Sequence, residues 1–418
     1  MSRVNLGDDL NANWTWPARR PKIAFFANTS WYLYNFRLRL AQQLIANGAD
    51  VVFVAPHDEY SDSLAKLGQF VRLDLDRKST NPLWECGTFF RFAQRIGTLQ
   101  PDLILSWTPK ANIYCALASR LNGVRTIPNI SGFGSSLGAK TLLARIVGTL
   151  YRISLQSCPI VFFQNSRDLS DSTAAGWVKK DVTRLLPGSG VDLTRFKPSP
   201  VCPGKSFRFL FAGRLLREKG LGELVQAIRR LKKDGHPVEL RVVGSVDKGN
   251  PSAFRAEEIR AFESEGILEY VGFTDEMESL IASADCLVHP SYYREGLARI
   301  LLESAASGRP IITTDLPGCR EAVIPGESGL LCQPRDVDSL YEAMKTMMNM
   351  SPASLTAMGS AGREHMERHF SEQIVIGNYL AAVRTVLIEE GNIANDFIGH
   401  SSAWDNPGTS PIPGSAEA

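Results

Sequence analysis

Two carboxylates, Glu295 and Glu303, stand eight positions apart in the stretch Tyr293-Arg294-Glu295-Gly296-Leu297-Ala298-Arg299-Ile300-Leu301-Leu302-Glu303, which runs on to Gly308-Arg309-Pro310. The residues between them are apolar and helix-like. Eight positions is just over two helical turns, so both carboxylates fall on nearly the same side of a helix. Glu295 lies at the helix mouth and Glu303 deeper. That layout suits a ligand with hydroxyls at two depths and a phosphate near the positive end of the helix dipole. Such a pair also arises by chance in many helices. A second stretch, Ala212-Gly213-Arg214-Leu215-Leu216-Arg217-Glu218-Lys219-Gly220, offers cations at a strand-to-helix junction. Arg214 supplies a planar fork of donors and Lys219 a point charge, in a loop whose glycines let the backbone approach closely. It reads as an anion site or as solvated basic residues. It is not a P-loop, because G-x-x-x-x-G-K-[ST] is absent.

Two further runs follow in order: Thr313-Thr314-Asp315-Leu316-Pro317-Gly318 with Glu321, then Gly326-Glu327-Ser328-Gly329-Leu330-Leu331. With the two above, four features fall at successive strand ends of one α/β unit. Other candidates carry less. Asp74-Leu75-Asp76 has the form of a metal-binding D-x-D, but it alternates with Leu73 and Leu75 like a strand. The six His show no metal-ligand spacing except His365 and His369, which lack the Glu of H-E-x-x-H. No metal is expected.

These residues need a scaffold. A chain of 418 residues exceeds one ordinary core and implies two domains. Lys22 to Ala27, Asp50 to Ala55, Phe70 to Leu75, Leu103 to Ser106, Arg125 to Pro128 and Ile160 to Phe163 read as short apolar strands separated by helices. That rhythm predicts a parallel sheet covered on both faces, with ligands at the C-terminal strand ends. A second doubly wound unit is predicted with strands at Phe207 to Phe211, Val238 to Val243, Leu268 to Val271, Cys286 to Val288 and Pro310 to Ile312. The expected boundaries are a flexible arm (1–20), an N-terminal domain (21–187), a Pro- and Gly-rich linker (188–206), a C-terminal domain (207–370), a helix returning to the N-terminal domain (371–392) and a disordered tail (393–418).

A hydrophobic share of 44% and a charged share of 22% are those of a globular protein. The seven scattered Cys read as reduced core thiols. Met1 to Arg20 is polar, so no secretory signal is expected, and no apolar run approaches the ~20 residues of a membrane span. The first 200 residues carry 24 basic and 14 acidic side chains, and the remainder 22 and 30. A basic half suits an anionic partner: a membrane surface, a phosphate-bearing substrate or nucleic acid. The segment Ala139 to Arg152, with Lys140, Arg145 and Arg152 among apolar residues, reads either as a core helix or as a helix on anionic lipid.

Taken together, the four motifs resemble the retaining nucleotide-sugar glycosyltransferases of group 1, or family 4. The likeness covers about residues 21–390, including Gly190-Val191-Asp192 and Arg195-Phe196-x-Pro198. It implies the GT-B fold: α/β, two doubly wound Rossmann-like parallel-sheet domains facing across a cleft. Asn28-Thr29-Ser30-Trp31-Tyr32-Leu33-Tyr34-Asn35-Phe36-Arg37 and Asn129-Ile130-Ser131-Gly132-Phe133-Gly134 are similar to a bacterial subgroup acting on polyprenyl-diphosphate carriers.

The resemblance implies that Arg214 and Lys219 hold the donor diphosphate, with Lys219, Arg214 and Glu295 as the catalytic set. Glu303 would accept from the ribose, and Glu295, Gly296 and Leu297 would meet the transferred sugar. Gly244 and the Gly272-Phe273-Thr274 turn would lie near the base. Acceptor contacts are expected from Asn28, Thr29, Ser30, Tyr34, Asn35, Arg37, Lys110 and Ser131. Ser131 stands where the family often has His, and a hydroxyl is no efficient acid or base at neutral pH. The implied donor is a UDP-sugar or GDP-sugar, with no cofactor and no nucleic acid. The implied acceptor is a lipid-linked saccharide at the inner face of the cytoplasmic membrane. A same-fold epimerase, a transferase to a soluble acceptor and a non-catalytic sugar-nucleotide-binding subunit are the alternatives.

Overall fold

The structure is a computed structural model that describes residues 16, 19–76, 81–133, 142–201, 204–247, 249–293 and 295–388. The tail 393–418, Lys140 and most of the expected arm lie outside the described residues. Trp16 and Arg19 are exceptions. The Trp16 Nε1–H donates to the Asn47 carbonyl at 2.9 Å, and Arg19 pairs with Asp102 at 2.7 Å.

Seven parallel strands form the first sheet: β1 (Lys22–Phe26), β2 (Asp50–Ala55), β3 (Gln69–Arg72), β4 (Leu103–Trp107), β5 (Arg125–Ile130), β6 (Val161–Phe163) and β7 (Thr183–Leu185). Their spatial order is β3-β2-β1-β4-β5-β6-β7. Six more make the second: β8 (Phe207–Ala212), β9 (Val238–Val243), β10 (Glu269–Gly272), β11 (Cys286–His289), β12 (Ile311–Thr314) and β13 (Gly329–Cys332), in the order β10-β9-β8-β11-β12-β13. Both are doubly wound. The chain reverses direction between β1 and β4 in one sheet and between β8 and β11 in the other. Such a reversal opens a crevice at the C-terminal strand ends, where ligands bind. Runs such as Ile23-Ala24-Phe25-Phe26 are buried throughout, as central strands covered by helices on both faces must be.

The edge strands differ from the sequence reading. The regular strand ends at Arg72, although the Leu73 N–H still donates to the Ala55 carbonyl at 3.0 Å, and Asp74 pairs with Arg72 at 2.9 Å. The three-residue β7 carries too little apolar pattern to be legible. The segment Leu142–Leu155 is a helix on the sheet, with Tyr151 and Leu155 buried and Arg145 and Arg152 exposed.

After β13 two helices complete the second domain, and the chain then returns. Phe370 and Glu372 sandwich the linker: the Val191 N–H donates to the Phe370 carbonyl at 2.8 Å, and the Glu372 N–H to the Val191 carbonyl at 3.0 Å. The helix Glu372–Leu387 then buries Val375, Ile376, Tyr379, Leu380 and Val383 in the first domain's core, against Phe25, Trp107 and Phe162. Tyr379 Oη accepts from Trp107 Nε1 and Asn129 Nδ2, both at 2.7 Å. This buried polar anchor fixes the returning helix to β4 and β5.

Candidate active site

The loop after β8 runs Gly213 to Gly220 and ends in a single 3-10 turn, Arg217–Lys219. Gly220 has φ +78°, and a Cβ there would stand 2.1 Å from the Pro290 carbonyl. Only glycine allows that approach. It presses this loop onto the one following β11. Lys219 is thereby buried to 7% exposure, with its Nζ 2.6 Å from Glu295 Oε1. The same oxygen accepts from Ser291 Oγ at 2.8 Å and lies 3.2 Å from His289 Nε2. Lys219 also lies over the Tyr293 ring.

The electrostatics follow from burial. Burial alone would raise the Glu295 carboxyl. The Lys219 ammonium and the His289 hydrogen bond outweigh it and hold the group well below the usual carboxylate range. His289 is fully buried, and burial pushes its pKa down despite Glu295. Because the ionised Glu295 oxygen can only accept, His289 donates through Nε2. Ligand-type atoms of His289, Glu295 and Cys319 lie within 4.8 Å of one another. The cation at that place is an ammonium, and burial pushes the Cys319 thiol up to about 12.

Glu303 lies within the helix Arg299–Ala306, where Arg299 Nε meets its Oε1 at 2.7 Å. Burial pushes this carboxyl up and Arg299 draws it back. Arg299 also donates to the Asn35 carbonyl at 2.6 Å and lies over the Phe36 ring at 4.4 Å. One guanidinium thus joins the second domain's carboxylate to the first domain's opening helix, Ser30–Ala46. Sequence reasoning missed Arg299. Its signal was the i, i+4 spacing to Glu303.

Arg214 is half exposed at the mouth, 3.6 Å from Asp247. Gly244 follows β9, and its N–H donates to the Gly272 carbonyl at 2.9 Å. Phe273 is exposed, and Thr274 Oγ1 accepts from the Glu276 N–H. These groups line the C-terminal edge from β8 to β10.

Across the cleft, the loop after β5 touches the site. A Cβ on Gly296 would stand 2.3 Å from the Ser131 carbonyl, so the two domains meet here backbone to backbone. Asn165, also missed, is buried after β6 and donates to the Glu295 carbonyl at 3.3 Å. The polar pair Gln164-Asn165 right behind the apolar run Val161–Phe163 was the available signal. Leu297 packs against Gly188 of the linker.

The expected acceptor residues divide. Asn28 and Tyr34 are partly exposed at the edge, with the Tyr34 ring tilted against that of Tyr60. Thr29 caps its helix by accepting from the Tyr32 N–H. Asn35 contributes its carbonyl to Arg299. Two expectations need correction. Ser30 is fully buried, its Oγ donating to the Pro56 carbonyl at 2.7 Å. Arg37 is 1% exposed, enclosed by the rings of Tyr32, Trp107 and Tyr379. Neither side chain reaches the cleft surface, so both shape it from behind. Lys110 is held by Glu85 Oε1 and the Asp76 carbonyl, both at 2.7 Å.

Two doubly wound domains meeting at a cation–carboxylate site define a GT-B protein. Solved structures agree on the fold. Sucrose-phosphate synthase from Thermosynechococcus elongatus aligns with a TM-score of 0.73 at 20% identity, covering 89% of this chain and 100% of that one. Anabaena HepE, solved in complex with UDP-glucose, aligns with a TM-score of 0.71 at 18% identity, covering 88% and 100%. Residues 35–188 match the glycosyl transferase 4-like domain, and residues 194–365 match glycosyl transferases group 1. The chain is 26% identical over 377 residues to the N,N'-diacetylbacillosaminyl-diphospho-undecaprenol alpha-1,3-N-acetylgalactosaminyltransferase of Campylobacter jejuni, covering 86% of this chain and 97% of that one. It belongs to the group 1 glycosyltransferases.

Proposed function

We propose that this glycosyltransferase moves a sugar, with retention, from a UDP-sugar or GDP-sugar to a polyprenyl-diphosphate-linked saccharide in bacterial surface glycan synthesis. The Lys219–Glu295 pair at the β8/β11 crevice carries the reading. An ammonium has three donors. One holds Glu295, which leaves Lys219 able to meet a donor phosphate as the sugar–phosphate bond breaks. Arg214, only loosely paired, would close on the same diphosphate. Fixed cations there stabilise the charge that develops on the leaving group, so the proposed reaction is metal-independent. Glu295, kept ionised, accepts from hydroxyls of the transferred sugar. Glu303 accepts from the ribose, sharing its carboxylate with Arg299.

The name of the Campylobacter relative motivates the acceptor class and an N-acetylhexosaminyl or hexosyl group as cargo. The basic first half favours work at the inner face of the cytoplasmic membrane, as a peripheral protein; no helix among the described residues is long and apolar enough to cross one. The test is release of UDP or GDP from a panel of nucleotide sugars, with and without a lipid-diphosphate-linked saccharide, in chelator. Glu303→Ala should abolish or severely weaken turnover. Full turnover by that variant, or no thermal shift with UDP or GDP, sinks the proposal.

A further inference from the structure

The helix Pro82–Leu99 is apolar on both sides. Its inner face, with Phe92, Ile96 and Leu99, is buried on the sheet. Its first turns also carry Leu83 at 83% exposure, Trp84 at 67% and Phe90 at 68%. No contact within the fold requires side chains of this size to face water, and exposed apolar groups clustered on one element mark an interaction surface.

Position and charge narrow the partner. Glu85 is the helix's sole carboxylate, and it points inward to Lys110 and the Tyr114 hydroxyl. The outer face therefore presents Leu, Trp and Phe beside the exposed Arg91, with no acidic group. The helix Pro109–Asn122 packs against it, and Leu142–Leu155 packs in turn against Pro109–Asn122, adding the exposed Arg145 and Ile146 and no acid. The pairing of Glu85 with Lys110 ties the exposed turn to the end of β4, at the first domain's crevice. A surface of Trp and aliphatic groups with exposed arginines complements an anionic bilayer interface, where Trp rings settle at headgroup depth and each Lys or Arg adds attraction.

We propose that the first turns of the helix Pro82–Leu99 dock this protein onto an anionic phospholipid membrane so that the crevice after β4 opens at the lipid surface, with the exposed Arg145 and Ile146 two helices along adding to the contact. This deepens the proposed transfer to a lipid-linked acceptor and rests on that reading for its purpose, but its test does not require turnover. The full chain is sedimented with vesicles of phosphatidylcholine alone or with about a third phosphatidylglycerol. Strong partitioning onto the anionic vesicles is expected. Leu83→Ser/Trp84→Ser should weaken it about tenfold or more, because binding scales with buried apolar area. Arg91→Glu should weaken it on anionic vesicles only. Thermal unfolding should be unchanged, since these side chains are already in water.

The proposal is overturned if the wild-type chain ignores anionic vesicles, or if the double variant binds as wild type does. It is also overturned if light scattering shows a wild-type dimer that the variant loses while vesicle binding persists. Turnover on a short-prenyl acceptor in detergent separates the two readings. A chain that docks through Trp84 but transfers no sugar refutes the proposed function and leaves the docking surface standing.

Discussion

Lys219→Ala removes the ammonium that stands 2.6 Å from Glu295 Oε1 in a buried site. Two consequences should separate cleanly. The first is structural. Glu295 keeps its bonds from Ser291 at 2.8 Å and His289 at 3.2 Å but loses its counter-charge. Breaking a buried pair by removing one partner costs about 3–5 kcal/mol. The two surviving hydrogen bonds argue for the lower end, about 3 kcal/mol. For a domain of this size that lowers Tm by roughly 6–12 °C. The second consequence is chemical. A missing donor at the developing phosphate charge slows turnover by about 10²–10³. Calorimetry and nucleotide-release kinetics read the two. Adding Glu295→Gln neutralises the stranded carboxylate, so the double variant should regain most of the Tm and none of the rate. A single variant whose kcat stays within about tenfold of wild type refutes the placing of Lys219 at the leaving group. A Tm loss that Glu295→Gln does not repair refutes the stranded-charge account.

Other outcomes follow from the same geometry. Gly296→Ala would place a methyl 2.3 Å from the Ser131 carbonyl, so the domains cannot meet as they do. Turnover should fall at least about tenfold while each domain's unfolding changes little, because the clash lies between cores rather than within one. Tyr379→Phe strands the buried donors of Trp107 and Asn129, at about 1–3 kcal/mol each, and should lower the first domain's Tm specifically. Stability should also depend on pH through His289. Its folded pKa is lowered, so the unfolded chain binds more protons as pH drops through the ordinary His range of about 6.5. Stability is then complete above that range and falls below it. His289→Asn should make the profile shallower between about pH 7.5 and 5.5, with the remaining slope carried by His365 and His369, which burial also lowers. Glu295, with its pKa lowered, contributes only above the ordinary carboxylate range and loses its contribution at more acid pH still.

Much of this site was readable before any tertiary contact was known. Short apolar strands between helical stretches can form stably only as parallel sheets covered on both faces, which places strand ends, and hence Arg214, Lys219 and Glu295, along one edge. The apolar stretch after Glu295 marked a helix, and Glu303 lies within Arg299–Ala306, but Glu295 stays in the loop before it, so the two carboxylates do not share a helix side. Local chemistry also marked the glycines of the loop after β8.

What the linear chain left open was partnership. An ammonium and a carboxylate far apart in sequence become a 2.6 Å pair only because β8 and β11 are neighbours across the reversal of strand order. Arg299 shows the same limit from the other side. Its spacing to Glu303 is local, but its bond to the Asn35 carbonyl exists only once two domains close on each other. Ser30 and Arg37 resembled cleft residues by type, and burial removed them from it, because the returning helix Glu372–Leu387 covers Arg37 and the loop at Pro56 takes up Ser30. Residue type and spacing determine which charges and hydroxyls a loop carries. Which of them meet, and which face water, is decided by the order of strands and the packing of helices over them, a property of the whole fold.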